Sequence, residues 1–148
     1  MSYTYNQILK KLENISLSNP FVKRFGSGEI QQLDTDAPNE TDYPYVWVVP
    51  QSVSIGENTL NYKFRVMVFD QDDTDDHNQQ EILSDTLRTL IDIIKTFRYD
   101  TGQDYNLGDV LPEAFPFTHR IVDYVVGWYS DLEIITELDN SPCDIPEE

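Results

Sequence analysis

An α+β domain, with a mostly antiparallel sheet of about four main strands packed on two helices, is the fold class this sequence predicts. Three observations predict it. Two segments carry apolar residues at helical spacing, one near the start and one in the middle of the chain. The segments between and after them alternate at period two, and short glycine-containing turns join them. The order is helix, strands, long helix, strands, which segregates the elements instead of interleaving them one for one. A long loop is expected after the second helix.

The first helix is predicted over 3–16, where Tyr5, Ile8, Leu9, Leu12 and Ile15 form one stripe and Lys10, Lys11 and Glu13 lie opposite. Pro20 ends it, because proline restricts the residue before it and donates no backbone bond. FVKRF (21–25), GSG and EIQQL (29–33) are read as a small hairpin, and DTDAPNETD (34–42) as solvated turn chemistry. YPYVWVV (43–49) is apolar on both parities, Tyr45, Trp47 and Val49 on one side and Val46 and Val48 on the other. That pattern predicts a strand covered on both faces, with Pro50 marking a bulge or an edge. After a turn at Gly56-Glu57-Asn58, Leu60, Tyr62, Phe64, Val66 and Val68 alternate with Asn61, Lys63, Arg65, Met67 and Phe69, predicting a strand with one dry and one mostly wet face.

A helix beginning within 75–78 follows, with Leu83, Leu87, Leu90, Ile94 and Phe97 as its core stripe, widened by Ile82, Ile91 and Ile93. Residues 99–118 are read as a long connection with two Gly and two Pro. Its apolar side chains, among them Tyr99, Tyr105, Leu107, Leu111, Phe115 and Phe117, are the expected subunit contacts. Two strands, 119–126 and 128–137, joined at Gly127, close a single domain over 1–137, and 138–148 is a short acidic tail.

Composition narrows the function classes. Ten basic residues against 27 acidic ones give a net charge of −17, which repels nucleic acid and anionic membrane at long range and argues against a basic nucleic-acid reader. A lone Cys143 cannot form an intramolecular disulfide, which suits a reducing cytosol. No signal-peptide pattern or membrane-length apolar run is visible, so no membrane association is expected. Nine Tyr and two Trp exceed what a minimal core needs, and such rings tolerate half-wet subunit interfaces.

The stretch FDQDDTDDHNQQEIL (69–83) holds the densest chemistry. Counted from Asp70, a calcium loop would take Asp70, Asp72, Thr74 and Glu81, but Asp75 stands where the loop needs glycine, and a strand precedes instead of a helix. Helix capping is the simpler reading, with Asp75, Asp76 or Asn78 satisfying first-turn amides and Glu81 completing a capping box with Asn78. Capping does not use all five aspartates. For catalysis the chain offers little: Cys143 has no nearby His, Ser27 lacks the elbow setting, His77 and His119 are single, and Gly102 and Gly108 have no Lys-Ser/Thr after them. Neither an enzyme nor a cofactor is expected.

In element order, and in the spacing of Trp128, Ser130, Asp131, Leu132 and Thr136 within WYSDLEIITE, the chain resembles the tail terminator and neck-ring (head–tail connector) proteins of tailed bacteriophages. The segments that carry the likeness are PYVWVV, KFRVMVFDQDDTDD and EILSDTLRTLIDIIKTF. The resemblance implies a structural virion protein of tail or neck, made in the host cytoplasm. It would form a hexameric or dodecameric homo-oligomeric ring beside other tail, neck or portal proteins, with DNA passing through unbound. On that reading Asp72, Asp73, Asp75 and Asp76 face the channel, where carboxylates keep phosphates from adhering. Two other classes compete, an acidic DNA mimic that inhibits a nucleic-acid enzyme and a divalent-cation-binding regulatory domain.

Overall fold

Helix α1 (Tyr5–Ser18) starts where its sequence can cap it. Thr4 Oγ1 accepts from the Gln7 amide at 3.2 Å, and Gln7 Oε1 accepts from the Thr4 amide at 2.9 Å, a reciprocal capping box. It stops at Asn19, whose amide donates to Ser16 and whose side chain accepts from Phe21, turning the chain through Pro20. The computed structural model describes residues 4–29, 31–33, 43–71, 79–101, 105–106, 112–120 and 124–137. Within them lie α1, a second helix α2 (Gln79–Thr101) and a six-stranded sheet, an α+β fold.

The strands are β1 (Arg24–Ser27), β2 (Tyr45–Ile55), β3 (Thr59–Gln71), β4 (Tyr105–Asn106), β5 (Ala114–Arg120) and β6 (Tyr124–Glu137). Their order is β1-β2-β3-β6, and the far side of β6 pairs with β5 and β4. Every pairing is antiparallel except that of β1 with β2. The expected hairpin over 21–33 is therefore not formed. Arg24–Ser27 runs parallel to Tyr45–Val48, and Gln31–Leu33 forms a helical turn. Trp47 explains Gly26, since its ring lies where a Cβ would meet it at 2.5 Å, while Gly28 has a φ of 137°, in the left-handed region, and its carbonyl accepts from the Trp47 indole.

The helices cover one face of the sheet. Ile8, Leu12 and Ile15 of α1 and Leu90, Ile93 and Phe97 of α2 pack on Val46 and Val48 of β2, the even-numbered residues of β3 from Tyr62 to Val68, and Leu132 and Ile134 of β6. Each such aliphatic or phenyl side chain contributes about 1.5–3 kcal/mol when buried, so this face holds most of the core. The buried stripe of α2 runs through Ile82, Thr86, Leu90, Ile93 and Phe97, one step round from the expected one, leaving Leu83 and Leu87 half-buried and Ile91 exposed. Two threonines tolerate burial there by donating to carbonyls one turn back, Thr86 to Ile82 at 2.6 Å and Thr89 to Asp85 at 2.9 Å.

The opposite face is also covered, at one end. Leu33, Tyr45, Trp47, Met67, Phe69 and Val125 form a second cluster, flanked by Tyr43, Val49, Phe117 and Tyr129. The double-parity pattern of 43–49 thus corresponds to two covered faces, while Met67 and Phe69 are drier than a wet face would make them. Two boundaries differ from expectation. The connection after α2 is shorter than 99–118, since the helix runs to Thr101 and Ala114–Arg120 is a strand. The break between the two closing strands is not at Gly127: 119 and 120 belong to β5, and β6 starts at Tyr124 and passes straight through Gly127, whose missing Cβ lets β3 approach. Hence the sheet exceeds the four main strands expected.

Candidate assembly interface

The β2–β3 hairpin projects beyond the helices, and a one-residue irregularity determines what it displays. Val49 pairs with Arg65 and Pro50 with Phe64, but Ser52, not Gln51, pairs with Lys63. The extra residue reverses the parity of the rest of β2. Without it Val53 and Ile55 would point away from the helices. With it, Val53 pairs with Tyr62 and Ile55 with Leu60, on the helix-bearing face. No described helix covers them, and Val53 is 45% and Ile55 77% exposed. Tyr5, at the start of α1, stacks on Phe64 with ring centroids 5.6 Å apart and adjoins the same end of the sheet. From Pro50 to Ile55 the arm extends about 17 Å.

The opposite edge of the sheet carries a second uncovered group. Phe115 of β5 is 42% exposed and stacks on Tyr129 at 5.4 Å, whereas Phe117 turns inward against Phe69 at 5.9 Å. The two phenylalanines expected at a subunit contact therefore share one face of β5 but differ in role, Phe117 closing the protein's own second cluster. Tyr99 and Tyr105 lie in α2 and β4, while Leu107 and Leu111 lie outside the described residues. The acidic loop with Asp72, Asp73, Asp75 and Asp76 also lies outside them, as does the cap candidate Asn78, while Glu81 lies in the first turn of α2.

Elsewhere the sheet's carboxylates have partners. Arg65 holds Asp131 through two bonds, Nε to Oδ1 at 2.8 Å and Nη2 to Oδ2 at 3.3 Å, and lies 4.3 Å from the Tyr129 ring centroid. That hydrogen bond, with the charge of Asp131, raises the Arg65 pKa above its ordinary value. Both side chains are largely solvated, so the pair contributes at most about 1 kcal/mol. Glu133 accepts from the Asn61 amide and stands opposite Lys63. A row of carboxylates on β6 thus faces bases on β3, which is not how a phosphate mimic presents charge. Among the described residues no three His, Cys, Asp or Glu side chains gather as a metal site would require.

The solvent side of α1 is the third feature. Asn6, Gln7, Lys10, Lys11, Asn14 and Ile15 of α1 are the described residues beside a surface pocket there. It lies in the basic part of the chain: residues 1–33 hold four bases and two acids, whereas 34–148 hold six bases and 25 acids. Sequence reasoning missed both this pocket and the hairpin tip. The signal for the tip was the pair Val53 and Ile55 alternating with serines just after Pro50, but the face they take depends on the bulge.

No family model matches this chain, and no curated protein does either. Among the described residues no helix is long and apolar enough to cross a membrane.

Proposed function

We propose that this protein is a structural component of a tailed-bacteriophage virion, a subunit of a homo-oligomeric ring at the head–tail junction or in the tail, surrounding the DNA channel. One observation carries the assembly part of this reading. Apolar side chains stand uncovered at two opposite edges of one sheet, Val53 and Ile55 on the β2–β3 arm and Phe115 on β5. Unlike patches on opposite sides favour heterologous contacts, and these close into a ring when the rotation between copies allows it. The charge of −17 supports the conduit part, since an acidic lining repels phosphates and lets DNA slide. The work is architectural, with no catalytic residue and no cofactor, and the neighbours are other tail, neck or portal proteins. The proposal places the protein in the tail or neck of the virion.

Sheet extension is not the mode of contact. Pro50 on β2 and Pro116 on β5 each remove a backbone donor from an outer strand segment, a common guard against edge-to-edge pairing. Side chains carry the interface instead. Negative-stain electron microscopy and sedimentation of the purified full chain test the reading. Annular particles of uniform subunit number are expected. A protein that stays monomeric at every concentration, or that forms open aggregates without a defined size, would refute it.

A further inference from the structure

We infer that the β2–β3 arm of one copy lies across the sheet of the next, on the face away from the helices, with Val53 and Ile55 packed on Phe115 and Tyr129. The inference rests on the ring reading and names its contact. Val53 and Ile55 point to the helix-bearing face, because the bulge at Pro50–Ser52 turns them there. Phe115 pairs with Tyr129, and Tyr129 with Met67, which belongs to the cluster on the opposite face. The two patches thus lie on opposite faces of one sheet as well as toward opposite edges. A two-fold axis matches a patch with itself. The front of one copy against the back of the next is instead a head-to-tail contact, the kind that closes rings.

Charge selects the arm as the part of a second copy that can lie there. The receiving face carries Lys63 and Arg65 on β3, Asp131, Glu133 and Glu137 on β6, and Glu113 just before β5. Arg65 is bonded to Asp131 and Lys63 stands opposite Glu133, so the bases offset two of the acids and the face stays slightly acidic. An acidic surface brought against it would be repelled. Residues 43–56 are the longest stretch of the chain without a charged side chain, and Val53 and Ile55 lie within it. Glu57, at the turn, has an interaction within its own copy and takes no part. The arm therefore reaches the aromatic pair without setting like charges together. Phe115 is ordered beforehand: it stacks on Tyr129 at 5.4 Å, and Arg65, on the other side of β6, lies 4.3 Å from the Tyr129 centroid. Rings already held in place lose little freedom when a partner covers them.

The experiment follows the full wild-type chain, Ile55→Asp, Phe115→Asp and an equimolar mixture of the two variants by sedimentation, with circular dichroism to check folding. Each variant alone should associate at least about tenfold more weakly than wild type. In the mixture, the intact arm of the Phe115→Asp copy meets the intact aromatic face of the Ile55→Asp copy. One contact forms and its two free ends are both defective, so the expected product is a one-to-one dimer that grows no further. Misfolded variants cannot produce that dimer. Rings that persist unchanged in either variant would overturn this contact and leave the ring reading standing. A mixture that stays monomeric would overturn the pairing of arm with aromatic face. Dimers of Phe115→Asp alone would show arms pairing with each other and would overturn it as well. A wild type that is monomeric at every concentration would overturn the ring reading and this contact together.

Discussion

Replacing Gly127 by alanine tests whether β6 is one strand or two. A Cβ at this position would lie 1.9 Å from the Val68 carbonyl oxygen, 2.7 Å from Phe69 Cα and 2.8 Å from Phe69 Cβ. All three atoms belong to β3, whose Phe69 stands opposite Gly127. A carbon and a carbonyl oxygen on adjacent strands ordinarily sit about 3.3 Å apart or more, so the strands would have to separate by roughly 1 Å. The clash is with backbone, and no rotamer change relieves it. Overpacking of this kind costs about 1–3 kcal/mol, and an unrelievable clash belongs in the upper half, about 2–3 kcal/mol. In a chain of this size each kcal/mol lowers Tm by roughly 2–4 °C, giving an expected fall of about 4–12 °C.

Thermal and urea unfolding followed by circular dichroism measure it, with an unchanged urea slope showing that the denatured state is not the cause. Gly56→Ala is the control. There the nearest atom is the Thr59 hydroxyl at 3.0 Å, the end of a small side chain, and the change should stay within about 0.5 kcal/mol. Gly127→Asn separates two explanations for the glycine. In a turn with left-handed backbone, asparagine is better tolerated than alanine; in a strand without room for a Cβ, it is worse. Gly127→Ala within about 0.5 kcal/mol of wild type, or asparagine better than alanine, would refute the close approach of β6 to β3.

Two further outcomes follow from buried polar groups. The Trp128 indole donates to the Leu83 carbonyl at 2.8 Å and ties β6 to the start of α2, so Trp128→Phe should cost about 1 kcal/mol in urea unfolding and speed hydrogen exchange in the first turns of α2. Unchanged stability and exchange would show that this bond does not anchor the helix. Burial pushes the Tyr62 phenol above its ordinary 10.0. The folded state therefore holds that proton more tightly than the unfolded chain does. Its contribution is complete below the unfolded pKa and is lost as pH rises through the folded one. Urea midpoints measured through alkaline pH should fall less steeply in Tyr62→Phe than in wild type, and equal slopes would contradict the assignment.

What could be read from the residues alone depended on how local the signal was. The apolar run 43–49 announced two covered faces because both parities were apolar, and packing needed no knowledge of the partners. β3 was legible for the same reason, through five alternating apolar positions from Leu60 to Val68. β1 was not, because four residues without periodicity form a strand only when β2 lies alongside, and nothing local specifies parallel pairing. Pro116 concealed β5, since proline demotes a strand reading although an outer strand accepts it. Gly127 misled for a different reason, as a glycine that bends the chain and one that admits a neighbour look identical in one dimension. The stripe of α2 was displaced one step because Thr86 and Thr89 look polar in sequence but satisfy their hydroxyls within the helix. Among the exposed apolar residues, Phe115 was singled out by its apolarity. Ile55 was not, because its direction is decided by a bulge five residues earlier.

Net charge and contact charge act over different ranges, and their difference bears on the proposal that copies of so acidic a chain assemble. At physiological ionic strength a charge is screened beyond about 8 Å. Most of the 27 carboxylates on one copy therefore do not act directly on a given point of the next. At short range only the nearest groups count, and along β6 these are basic: Asp131 is held by Arg65 and Glu133 stands opposite Lys63. Added salt therefore weakens the long-range repulsion between copies before it weakens a short contact such as that of Arg65 with Asp131. An acidic chain can in this way present locally neutral faces to its neighbours while its net charge keeps nucleic acid away.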